Sequence, residues 1–391
     1  MTNRKALADK ILLLGCDGLD PRLTCKYVDM GLMPNVKQFI ERGAQRQDLV
    51  MLGGHPTVTP PMWTTLATGC YANVHGITGF YRNGQEIGTA EYNIDSRFCK
   101  AEQLWNVTAE AGLKTLVWHW PGSAWPPSSD NPNLYVVDGS SPGAVNTSIC
   151  TIDKEKILVA DVKVMDVTFK AKAAQDSKVP CVIEDLKTDD LTFDVSKLAH
   201  SRESTKNIIL SHADGEGAIS DAPFDVVMSY IRPAQGWKSV PEGAKEFTLL
   251  HSGGLLRRPA LILANEQGIY DRVALYKTKK DTEPIAVIYE GKFTNQILDD
   301  VVKPDGSKLP SARAIKALEI DPEGKTVRMF ITRAMSTENM RSVCQPQSLY
   351  DEFVKVAGYP APQCNSGTHD REIVVDCMID VWRQAGDYQA K

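Results

Sequence analysis

The sequence predicts a mixed α/β fold: a mostly parallel sheet flanked by helices, carrying a β-rich insertion. Three observations predict it. Over the first 145 or so residues, short all-apolar runs alternate with helical periodicity, as in strand–helix–strand units. From about Asn146 the texture changes to short segments rich in Val, Ile, Leu, Phe and Tyr, punctuated by Gly, Pro and Asp turns. Helical spacing returns after about Ser342. With 391 residues the chain exceeds one typical domain. The expected organisation is an α/β core in 1–145, a β-rich insertion or cap in 146–331, and a helical return to the core in 332–391.

Each element has its own signal. Ile11-Leu12-Leu13-Leu14-Gly15 is a short apolar run suited to a buried parallel strand, ending in the polar turn Cys16-Asp17-Gly18. Pro34 opens a helical pattern through Val36, Phe39 and Ile40 that stops at Gly43. A second helix is expected near Met62 to Ala67, after Pro60-Pro61, and a third from about Ala101 to Ala111, stopping at Gly112. Thr115 to Trp118 and Leu134 to Val137 read as strands. In the β-rich part, Val162 to Phe169, Asp225 to Ile231, Ala260 to Ala264, Arg272 to Tyr276 and Ile285 to Tyr289 are candidate strands, with turns at Pro304-Asp305-Gly306 and Pro322-Glu323-Gly324. Ser348 to Ala357 and Arg371 to Ala385 read as helices, the last with Val374, Met378, Trp382 and Ala385 on one face and a stop at Gly386.

Composition narrows the function. A net charge of -5 argues against a nucleic-acid duplex as partner, which needs a basic footprint, but leaves small phosphate esters open. No stretch approaches a membrane span, and the polar opening residues lack a signal-type apolar region, so a cytoplasmic location is expected. The nine cysteines are scattered, odd in number and without a CxxC pair, which reads as small core residues rather than zinc ligands. Oligomeric state has no signal in the sequence.

Two residues stand where chemistry is possible. Asp17 follows the first strand, where open α/β sheets place ligand-binding groups, although Asp-Gly there also makes an ordinary turn. Thr59 stands at a helix entrance within Pro56-Thr57-Val58-Thr59-Pro60-Pro61-Met62-Trp63-Thr64-Thr65. A Thr there is either a cap or a nucleophile set where backbone N–H groups and the helix dipole stabilise a phosphoryl oxyanion.

Four pieces occur in order: Gly15-Cys16-Asp17-Gly18, Leu32-Met33-Pro34-Asn35, the Pro56–Thr65 segment with Thr68-Gly69, and His75-Gly76-Ile77. Together they resemble the type I phosphodiesterase/nucleotide pyrophosphatase family, whose core is alkaline-phosphatase-like. The resemblance implies that Asp17 binds a metal and that Thr59 is both nucleophile and ligand of that metal. Thr57 is the competing assignment; Thr59 is preferred because it directly precedes the Pro that opens the helix. His75 is assigned to tying down its loop. The resemblance further implies two divalent ions, zinc with manganese as the alternative, the second about 4 Å away to activate water. The substrate is then a small phosphate ester, cleaved through a phosphorylated Thr. Thr59-Pro60-Pro61 departs from the nucleotide pyrophosphatase subgroup, where an Asn near the nucleophile helps hold phosphate, so substrate choice stays open. It departs equally from the Cys-x-Pro-Ser-Arg pattern of sulfatases.

The family's later ligands, an Asp-x-x-x-His, an Asp-His pair and a further His, are not evident. Asp194 and His200 are six apart, His212 precedes Asp214, and His369-Asp370 is reversed. The expectation is a family member that ends before its second ligand set. Two alternatives stand beside hydrolysis: a truncated or catalytically dead binding protein, and a phosphoryl mutase or transferase. Gly139-Ser140-Ser141-Pro142-Gly143 matches a Gly-x-Ser-x-Gly elbow but lacks the following helix and reads as a loop. Trp118-His119-Trp120-Pro121 reads as core packing. Arg257-Arg258 reads as a solvated pair.

Overall fold

Pro34 opens a helix where its fixed φ and missing N–H cost nothing, and that rule recurs through the first part of the structure. In this computed structural model the described residues are 10–46, 56–84, 86–137, 156–162, 170–172, 182–184, 208–211, 225–251, 256–303, 305–359 and 371–391. The chain divides into two compact units, Met1–Leu113 with Trp120–Asn131, and Lys114–His119 with Pro132–Lys391.

The first unit holds α1 (Pro21–Asp29), α2 (Pro34–Arg42), α3 (Thr59–Thr68), α4 (Ala72–His75) and α5 (Leu104–Glu110), with a hairpin of β1 (Tyr81–Asn83) and β2 (Ala90–Tyr92). Asp20 caps α1 by accepting from the Arg22 and Leu23 N–H groups at 2.8 and 3.0 Å. Gly69 ends α3 in the left-handed region at φ 69°. Among the most buried side chains are Trp63, Ala67, Ile77, Trp105 and Trp120.

One expectation fails here. Residues 11–16 are not a strand, and Ile11, Leu12 and Leu14 are 87%, 81% and 74% exposed. A short apolar run becomes a buried strand only when neighbouring strands take up its N–H and C=O groups. Among the described residues of this unit, the only strands, β1 and β2, pair with each other. Helix α3 also starts earlier than expected, at Thr59, and α5 later, at Leu104.

The second unit begins with β3 (Thr115–Trp118) and β4 (Leu134–Val137), parallel to each other, with β19 (Cys344–Gln345) antiparallel on β4. The sequence reading grouped β3 and β4 with residues 1–145. The remainder is mostly antiparallel. One sheet runs β10 (Arg232–Pro233), β11 (Lys245–His251), β12 (Leu256–Ala264), β13 (Tyr270–Leu275) and β14 (Ala286–Tyr289) in spatial order. The other runs β15 (Phe293–Val302), β16 (Lys308–Ile320), β17 (Thr326–Ile331), β5 (Lys156–Asp161), β9 (Asp225–Tyr230) and β8 (Ile208–Ser211), with β18 (Met335–Ser336) on β16. β6 (Lys170–Lys172) and β7 (Val182–Glu184) form a separate hairpin.

The fold is therefore mixed α/β with several sheets, but the expected predominance of parallel pairing is not found among the described residues. Among the described strand pairs, β3–β4, β5–β9 and β8–β9 are parallel and the others antiparallel. Tight turns explain this. Asp321 to Thr326 turns β16 straight back into β17, with the Gly324 N–H donating to Asp321 O at 2.7 Å, and such a turn joins only antiparallel neighbours. Alternate residues pack the two large sheets together: Phe247 and Leu249 from β11, Ala260 and Ile262 from β12, Ile315 and Ala317 from β16, Val327, Met329 and Ile331 from β17.

Arg258 does not behave as a solvated arginine. It is 7% exposed and forks onto Asp299, with Nε and Nη2 donating at 2.8 and 2.5 Å. Helix α6 (Leu349–Ala357) follows the expected span. Helix α7 (Arg371–Ala390) runs through Gly386 instead of stopping there. Its buried positions include Cys377, Val381 and Tyr388, whereas Trp382, expected on the packed face, is 63% exposed. Lys316 of β16 pairs with Asp380 of this helix at 2.6 Å. Of the six cysteines described, Cys16 and Cys25 are exposed, and only Cys344 and Cys377 are buried as small core residues. No helix among the described residues is long and apolar enough to cross a membrane.

Candidate functional site

Asp17 and Thr59 stand 42 positions apart in sequence, and the first unit brings them together. Asp17 sits in a turn that the next residue, Gly18, makes possible at φ 67°. Thr59 is the first residue of α3, and its N-cap is Val58, which offers no side-chain cap. The capping role open to Thr59 is therefore not the one it takes. Its hydroxyl donates instead to the Asp17 carboxylate, 3.3 Å from Oδ1 and 3.4 Å from Oδ2. No hydrogen bond joins the competing Thr57 to Asp17 among the described residues.

A third residue, absent from the sequence expectation, completes the arrangement. Trp63 Nε1 donates to Asp17 Oδ1 at 2.8 Å. Thr59 and Trp63 are four apart on one helix, so both side chains rise from the same face. That i, i+4 spacing was readable; what it pointed at was not.

The start of α3 supplies fewer anion-binding donors than a helix N-terminus usually offers. Pro60 and Pro61 carry no N–H, and the Met62 N–H is spent on Val58 O at 3.2 Å. What remains in the first turn is the Thr59 N–H and the positive end of the helix dipole. The expected cradle of several backbone N–H groups is thereby corrected to one.

His75 lies at the end of α4 with no exposed surface. Its Nδ1 accepts the Ile77 N–H at 3.1 Å, which leaves Nε2 protonated to meet Thr65 Oγ1, also at 3.1 Å. Burial holds its pKa below the ordinary histidine value. A neutral ring with both nitrogens committed fastens the Gly76-Ile77 loop to α3 and has no lone pair left for a metal.

A carboxylate and a hydroxyl on one edge suit a divalent cation, and Asp17 Oδ2 takes only the longer Thr59 contact. These two donors fit one side of a metal site. Among the described residues no group of three or more His, Cys, Asp and Glu side chains could hold a metal ion. His55, His200, His212, His369, Asp194, Asp214, Asp370 and the Gly139–Gly143 motif lie outside the described residues.

Elsewhere the aromatic cluster at Trp118-His119-Trp120 packs as core. Trp120 stacks edge-on to Trp63 and Trp105 in the first unit. Trp118 packs against Phe353 and Tyr388 in the second. Compared with known proteins, residues 11–206, half of the chain, match the family model for type I phosphodiesterase / nucleotide pyrophosphatase. No curated protein and no solved structure matches the chain. The matched span begins at the apolar run before Asp17 and takes in Thr59, Trp63 and His75.

Proposed function

The chain belongs to the type I phosphodiesterase/nucleotide pyrophosphatase family, and on that premise we propose that it hydrolyses phosphodiesters, or related phosphate or phosphonate esters, with Thr59 as nucleophile. The observation that supports this reading is the Thr59–Asp17 hydrogen bond at a helix start. Thr59 Oγ attacks phosphorus, the P–O bond to one alcohol breaks, and the proton lost by Thr59 balances the one taken up by the leaving alkoxide. Water then cleaves the phosphorylated Thr59 and restores the hydroxyl. Throughout, α3 holds the oxygen in place, and the Thr59 N–H with the helix dipole faces the developing charge.

The family is in general dependent on divalent metal, and this site gives a reason. A carboxylate beside the nucleophile repels an anionic phosphoryl group unless a cation offsets it. Asp17 and Thr59 would hold that cation, zinc or manganese, which when bound lowers the cost of the Thr59 alkoxide.

The test pairs elemental analysis of the purified chain with hydrolysis of bis-p-nitrophenyl phosphate against the monoester. Stoichiometric metal, diester turnover, and its loss in Thr59→Ala are expected. Monoester preference would favour a mutase or transferase. A second reading, a family member that binds ligand without turning it over, draws on the two-donor edge found among the described residues. Absence of both metal and turnover would select it.

A further inference from the structure

Trp63 has a place in the site that its hydrophobicity does not explain. It is 7% exposed, yet the only polar atom of its side chain is aimed at the carboxylate of an exposed residue. An exposed Asp side chain samples several rotamers, and a metal ligand that does so loses affinity to the entropy of being fixed. Trp63 removes that freedom because its own ring is fixed. Trp120 meets it edge-on at 4.9 Å and 88°, and Trp120 Nε1 donates to Trp63 O at 3.2 Å. Trp105 in turn backs Trp120 at 5.6 Å. Three tryptophans thus make a rigid stack whose end carries one N–H.

The chain just before Asp17 is shaped to receive it. A β-carbon at Gly15 would overlap the six-membered ring of Trp63, so glycine is required there for close approach rather than for its torsion angles. The division of the carboxylate is equally specific. Oδ1 takes Trp63 at 2.8 Å and Thr59 at 3.3 Å, whereas Oδ2 takes only Thr59 at 3.4 Å. The indole occupies one oxygen and leaves the other for a cation.

We propose that Trp63 is a positioning residue that fixes the Asp17 carboxylate, turning Oδ2 outward as the ligating oxygen. In its metal-binding consequence this rests on the phosphodiesterase reading; the fixing of the carboxylate does not. Trp63 acts through Asp17, to which its indole N–H donates. Partners of this kind typically change metal affinity by about 10- to 100-fold.

Two measurements on the full chain test it. In the first, the Trp63 indole N–H resonance is identified by its absence from Trp63→Phe, then followed in Asp17→Asn. The expected result is an upfield shift larger than that of any other tryptophan indole; an unmoved resonance overturns the proposal. In the second, Zn2+ alone is titrated against a competing chelator dye. Trp63→Phe should bind about 10-fold or more weakly than the unsubstituted chain. Trp120→Phe, which loosens the stack behind Trp63 but keeps the indole donor on Asp17, should weaken binding by less than Trp63→Phe does. Equal weakening in both variants would reduce Trp63 to packing and overturn the proposal, as would unchanged affinity in Trp63→Phe. If the unsubstituted chain binds neither Zn2+ nor, in the same titration, Mn2+, the metal-dependent phosphodiesterase reading fails, and the resonance measurement decides the positioning role by itself.

Discussion

At the scale of single residues, the site depends on which polar atoms face which. Thr59 could have capped α3, but Val58 takes that position and the hydroxyl turns to Asp17. Thr59→Ala should leave the fold intact and lower diester kcat/KM by at least about 10³-fold, as losses of a nucleophile do; Thr57→Ala should change it less than about fivefold. Steady-state kinetics on purified variants check both. A different residue pair governs stability. Arg258 and Asp299 are both buried, and their fork replaces the water each has lost. Removing one partner strands the other charge, so Asp299→Ala should cost about 3–5 kcal/mol, read from urea unfolding.

At the scale of elements, the sequence signals worked where they were local. Pro34 and Gly43 bound α2 as expected, and the 115–118 and 134–137 strands fall where apolar runs predicted. The double proline beginning α3 is a local signal with a chemical consequence, since it strips two N–H donors from the helix start. Turn chemistry is similarly legible at Gly324, which lies at φ 63° between β16 and β17. A β-carbon there would stand 2.9 Å from Tyr270 Cγ. Gly324→Ala combines left-handed strain with that clash and should destabilise by about 2 kcal/mol or more, measured as a lower Tm with unchanged circular dichroism. Signals that needed a partner failed. The Ile11–Leu14 run has strand composition but, among the described residues of its unit, no strand pairs with it, and Gly386 sits inside a helix that continues to Ala390.

At the scale of the whole molecule, buried histidines couple stability to pH. Burial lowers the pKa of His119 to about 3 and that of His75 below the ordinary 6.5. Burial lowers His251 too, aided by the nearby cations Arg313, Lys156 and Arg258. Below pH 6.5 the unfolded chain binds protons at these rings and the folded chain does not. The stability they confer is therefore full above that pH and declines as pH falls toward the folded-state values. Each ring inside its window contributes a slope of about 1.4 kcal/mol per pH unit. Urea midpoints should fall between pH 7 and pH 5; midpoints that hold steady or rise would contradict this.

The family, most of the helices, some of the strands, and the two residues proposed for the centre of the site were legible in the sequence. These are properties of short windows: a Pro at a helix start, a Gly at its end, an Asp-Gly turn, a Thr before prolines. Tertiary structure decided what each was for. Helical spacing in α7 was legible, yet which of its positions are buried, Cys377, Val381 and Tyr388 among them, depends on what the helix packs against. The Asn146–Ile331 segment read as β-rich, but sheet direction followed from which strands a tight turn could join. Thr59 and Trp63 share a helix face by spacing alone. Their common target, the Asp17 carboxylate, lies more than 40 residues away in the chain. A contact across such a distance leaves no periodicity to read, because packing and not chain connectivity brings its partners together.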